Sequence, residues 1–193
     1  MTSFIDKELW GVIALVAALA AGCGAAQPGG SDSVGGAEGS KEQAGPPAAE
    51  LEAKARMESA GSAIADGNTQ GAYDEYSEAA RVLDEANLVV IDRAEAHFYA
   101  ADLAYKLLDK DGAITHYKAA IDVYLRFSGN SKVKAAIALN NLGAIYKEIG
   151  DKPAARSAWE QAMQVYREAP PELQNQANMA KIEQNISDLR EGF

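Results

Sequence analysis

One cysteine, two histidines and six prolines stand in 193 residues, and aromatic side chains make up only 7%. A single Cys forms no disulfide within its own chain, and two His beside it are too few soft ligands for a zinc or haem site. Basic residues are also scarce: 18 Lys and Arg face 28 Asp and Glu, a formal net charge of −10. Nucleic-acid binding needs a positive field, so that partner class is excluded. There is no Gly-rich phosphate loop, nucleophile elbow or HExxH pair, so a non-enzymatic chain without metal or cofactor is expected. Ala fills much of a 48% apolar sequence that is poor in β-branched residues, and that balance points to helices. The length suits one domain.

Residues 1–23 read MTSFIDKELWGVIALVAALAAGC, uncharged from Leu9 to Cys23. This run is too short to cross about 30 Å of hydrocarbon comfortably as a helix, and it reads as a signal-peptide core. Its end, Leu19-Ala20-Ala21-Gly22-Cys23, resembles a bacterial lipobox and holds the only cysteine. The resemblance implies a signal peptide over 1–22 and acylation of Cys23; an uncleaved membrane anchor or a buried structural Cys are the alternatives. Gly24 after the Cys, in place of Asp, implies sorting to an outer membrane, facing the periplasm. In residues 24–49, Gly, Ala, Ser and Pro fill 19 of 26 positions. Such a stretch buries too little to offset the entropy of ordering, and as a coil it spans roughly 28 Å. Residues 23–49 are therefore expected to be a lipidated Cys and disordered tether, with the folded domain over 50–193.

From Glu50 onward the apolar spacing has a helical period, and one pattern occurs three times. Ala-x3-aromatic-x2-Ala appears as Ala72/Tyr76/Ala79, Ala113/Tyr117/Ala120 and Ala155/Trp159/Ala162, spaced by 41 and 42 residues. Polar turns precede each copy at 66–68, 109–112 and 150–153, and a further helical stretch precedes each turn. Every unit is thus helix, turn, helix, with Ala where the helices approach and an aromatic ring beside it. Leu139-x2-Leu142-Gly143-x2-Tyr146 followed by Ala155-x3-Trp159 resembles the tetratricopeptide repeat (TPR), and about 53–169 is similar to a TPR array of the long, 42-residue type found in kinesin light chains. The predicted fold is all-α, a TPR-like helical solenoid of three helix-turn-helix units. A C-terminal helix bearing Met179, Ile182, Ile186 and Leu189 on one face caps it, with Gln184, Asp188 and Arg190 outward.

His97 falls where the repeat buries a large side chain, so a packed core histidine is expected, with His116 at the surface or between units. Asp66-Gly67-Asn68 superficially resembles a calcium loop, but Ser77 stands where the bidentate Glu belongs, and a turn between helices explains these residues without metal. The TPR resemblance implies a protein or peptide partner held on the concave face. Carried over residue by residue, that groove presents Lys54, Met57 and Ile64, then Phe98, Tyr99, Asp102, Tyr105 and Lys106, then Asn140, Asn141, Ala144 and Lys147. Phe98 and Tyr105, seven residues apart on one stripe, either anchor a partner or are covered by the lengthened helices. The expected function is a lipid-anchored TPR adaptor binding another cell-envelope protein. An assembly lipoprotein similar to secretin pilotins or to outer-membrane insertion accessories, or a self-associating structural lipoprotein, are the alternatives, and the oligomeric state is left open.

Overall fold

A computed structural model describes residues 46–191. The expected signal peptide, Cys23 and the tether through residue 45 lie outside the described residues. Among the described residues there are seven α-helices, one short 3-10 turn and no strand. They are α1 (Pro46–Ala65), α2 (Thr69–Glu85), α3 (Ile91–Lys106), α4 (Lys110–Tyr124), α5 (Asn130–Glu148), α6 (Lys152–Glu168) and α7 (Gln176–Glu191). α1 begins four residues before the expected domain start at Glu50, so 46–49 are not tether. Proline is tolerated in a first helical turn, where the missing N–H has no intrahelical partner, and Ala48-Ala49 favour propagation.

The helices pair as α1/α2, α3/α4 and α5/α6, and each packs chiefly on its neighbour in sequence, the arrangement of a TPR-like solenoid. The three turns within units share one geometry. Gly67, Leu108 and Gly150 have φ of 76°, 65° and 84°. The next residue's N–H reaches five residues back, as Asn68 to Ala63, Asp109 to Ala104 and Asp151 to Tyr146, at 2.8 to 2.9 Å. This closes the first helix with a Schellman-type end. The same residue then caps the second helix: side chains of Asn68, Asp109 and Asp151 accept from the N–H of Gly71, Gly112 and Ala154. The turns are therefore shorter than the sequence suggests. Lys110-Asp111-Gly112 and Lys152-Pro153, expected in turns, form the first turns of α4 and α6 because the Asp before them is an N-cap.

Within each unit the repeated aromatic ring of the second helix pairs with a small residue of the first. Tyr76 shares a cluster with Ala60, and Tyr117 shares one with Ala101. The larger Trp159 needs a smaller neighbour: a Cβ on Gly143 would lie 2.5 Å from its Nε1, and that Nε1 donates to the Asn140 carbonyl at 3.1 Å. On α7, Ile182 and Leu189 are buried and Met179 and Ile186 pack on the same core as Trp159, the expected cap. Gln184 and Asp188 face outward. The Arg190 side chain lies outside the described residues.

Candidate partner-binding face

The first helices α1, α3 and α5 carry the residues expected to meet a partner. Lys106 and Lys147 are exposed, and Tyr99, Tyr105, Asn140 and Ala144 are half-buried; on α1, Lys54 is exposed and Met57 and Ile64 are half-buried. Tyr105 donates its hydroxyl to Glu148 at 2.6 Å, which ties α3 to α5, and Lys110 meets the same carboxylate at 3.1 Å. The Asn140 Oδ1 is enclosed and accepts no hydrogen bond within the structure, although the residue as a whole is half-buried. Tyr99 leans on Tyr76, with centroids 5.1 Å apart.

Three residues depart from the expected groove. Asp102 is only 1% exposed and Asn141 only 7%. They meet through Tyr117, whose hydroxyl donates to Asp102 Oδ1 and accepts from Asn141 Nδ2 at 3.1 Å. This polar chain crosses from α3 through α4 to α5, so both side chains hold helices together and do not line an open face. Asp102 Oδ2 is buried without a partner, and burial pushes this carboxyl up to about 7, against the Tyr117 hydrogen bond and the Lys106 charge. Phe98, expected as an exposed anchor, is half-buried. It is edge-on to Tyr117 at 5.8 Å and Tyr124 at 6.3 Å, so two core rings of α4 hold it.

His97 is buried as expected, and His116, expected at the surface or between units, is half-buried between His97 of its own unit and the Tyr73 ring of α2 in the preceding one. Their Nδ1 atoms lie 3.0 Å apart, and His97 Nε2 reaches the Asp84 carboxylate on α2 at 3.2 Å. The Arg93 Nε holds the same carboxylate at 2.5 Å. Repeat register alone does not reveal this contact; it requires knowing that the turn at Leu107–Asp109 is only three residues long, which folds residues 97 and 116 together. Among the described residues no group of three or more His, Cys, Asp or Glu is placed to hold a metal ion.

Residues 92–168 match the tetratricopeptide repeat family. The matched segment runs from the start of α3 to the end of α6, and so covers the second and third units. Among solved structures, the crystal structure of MamA protein is similar at 15% identity, over 72% of this chain and 87% of that one, with a TM-score of 0.32. None of the curated proteins matches the sequence. A TPR-like solenoid offers an elongated face for a protein partner. The side chains accessible for it on α3 and α5 are Tyr99, Tyr105, Lys106, Asn140 and Lys147.

Proposed function

We propose that the chain is a lipid-anchored TPR adaptor: acylated at Cys23 after removal of residues 1–22, tethered through residues up to 45, and presenting α1, α3 and α5 to another envelope protein. The observation that carries the adaptor role is the run of accessible aromatic, amide and lysine side chains along α3 and α5, on helices whose own packing is complete behind them. A row of this kind suits an extended segment, to which Tyr99 and Tyr105 supply contact area and Lys106 and Lys147 charge. The anchor rests on the sequence, on a short uncharged run ending in the only cysteine. Three fatty chains on one residue give stable membrane attachment, and an outer-membrane site facing the periplasm follows from Gly24.

A photo-crosslinking side chain placed at Lys106 or at Lys147 of the full chain, in its own membranes, tests the face. A discrete adduct with a second protein at both positions, and none at Gln161 on α6, is expected. Adducts of equal strength at Gln161 refute the assignment of the face, and an adduct of twice the chain's own mass replaces the adaptor by a self-associating lipoprotein. Separately, Cys23→Ser is expected to abolish fatty-acid labelling; retained labelling refutes the anchor.

A further inference from the structure

The only two histidines of the chain stand nose to nose across the hairpin of α3 and α4. Their ring centroids are 5.3 Å apart and their Nδ1 atoms 3.0 Å. The difference is one ring radius on each side, so the two Nδ1 atoms point straight at one another. A metal ion held by both would need lone pairs converging on a point off that line, with the centroids closer together. The geometry is that of a single N–H shared between two nitrogens.

Proton positions follow from the neighbours. Asp84 offers His97 Nε2 only an acceptor, so that nitrogen carries hydrogen and His97 Nδ1 is bare. His116 must then present Nδ1–H, leaving its own Nε2 bare. One added proton settles on His116 Nε2 and the shared bond survives. A second has only His97 Nδ1 left to occupy, and two N–H groups then face each other at 3.0 Å with two positive charges.

We propose that His97 and His116 form an acid-operated latch between α3 and α4, closed by one shared N–H and forced open when both facing nitrogens are protonated. The surroundings favour one extra charge at most. From α2, Asp84 is already held by Arg93 of α3, and Tyr73 presents its ring edge-on to His116 at 6.0 Å. Asp109, from the turn, spends its carboxylate capping Gly112. Burial accordingly lowers both imidazoles, His116 to about 4, with His97 adding to the depression. Both sit below the ordinary value of about 6.5, so the closed state is favoured fully above 6.5 and loses ground as pH falls toward 4. α3 also carries Tyr99, Tyr105 and Lys106, so opening the latch loosens the central helix of the proposed partner face.

The test uses the full chain in detergent. Imidazole 15N shifts at pH 7.5 are expected to show the Nε2–H tautomer for His97 and Nδ1–H for His116; the Nε2–H tautomer on both overturns the proposal without any variant. Hydrogen exchange is then compared at pH 6.5 and 4.5, corrected for intrinsic rates. In an Asp102→Asn background, which removes the opposing titration of the carboxyl buried in the same segment, proton uptake by the opened His116 raises exchange in 91–124 about fortyfold over that interval, because the open imidazole titrates near 6.5 and the closed one near 4, while α6 and α7 stay protected. His116→Asn in the same background keeps a donor at the Nδ1 position and leaves only His97 to titrate, so its rise in 91–124 is expected to be at least tenfold smaller. Equal loosening in that variant, or loosening of all helices together, refutes the latch.

Discussion

Asp102→Asn separates an uncharged buried carboxyl from a charged one. In the folded chain Asp102 has a donor on one oxygen and none on the other, and burial raises it from 3.8 to about 7. A carboxyl raised on folding stabilises the folded state fully below its unfolded value, and that contribution is lost as pH climbs to the folded value. The window here is 3.8 to about 7, which corresponds to about 4 kcal/mol. The imidazoles work in the opposite sense below 6.5: His116 alone, lowered to about 4, removes about 3 kcal/mol as pH falls. Between pH 4 and 6.5 the two trends nearly cancel, so a pH profile of the wild type alone reveals neither. The difference between wild type and Asp102→Asn cancels the histidines and every other carboxylate. Asn still accepts from Tyr117 but buries an NH2 group without an acceptor, costing about 1–2 kcal/mol at pH 4. Urea unfolding of both chains is therefore expected to show the variant less stable at pH 4 and more stable at pH 8, the difference swinging by about 4 kcal/mol. A difference constant to within about 1 kcal/mol over that range refutes the buried, protonated carboxyl.

Gly143→Ala thrusts a methyl group against Trp159 and is expected to cost about 1–3 kcal/mol by urea unfolding; an unchanged midpoint means that the ring does not rest on this glycine. Leu108 is 84% exposed in a left-handed conformation that glycine occupies in the other two turns. Leu108→Gly should therefore stabilise by about 0.5–1 kcal/mol, the relief of the side chain's clash less the entropy gained by the unfolded chain; a lower melting temperature contradicts this. Phe98→Ala removes a half-buried ring from Tyr117 and Tyr124, and a loss of about 2 kcal/mol is expected; an unchanged melting curve returns Phe98 to the role of an exposed anchor.

Units and turns were legible because they depend on local signals: the helical period, Ala beside an aromatic ring, and Asx residues before a second helix. Even the exception at Leu108 follows from register, since its neighbours in the repeat are Gly67 and Gly150. The side chains of the groove were less legible. Asp102 lies on a polar stripe, and only the approach of Tyr117 and Asn141 from two other helices encloses it. Phe98 lies on an accessible stripe of α3, but Tyr124, four residues beyond Ala120, the second alanine of the repeat pattern, comes from the last turn of α4 and reaches it. The start at Pro46 was missed because proline reads as a breaker when its place in the first turn is unknown.

Packing between sequence neighbours also governs how the chain acquires its form. The helices pair through three-residue turns, and beyond adjacent helices the main contact is between α1 and α3. Closing so short a loop costs little entropy, and folds dominated by near-in-sequence contacts form in microseconds to milliseconds. A chain emerging N-terminus first can therefore complete α1 and α2 before the remainder exists, then add one hairpin at a time. Met163 and Tyr166 on α6 stay in water longer than their counterparts in the earlier units, since their cover, α7, is made only after α6 itself. Until Ile182 and Leu189 arrive, the growing end is sticky, and the risk of aggregation is greatest in the interval between the emergence of α6 and that of α7.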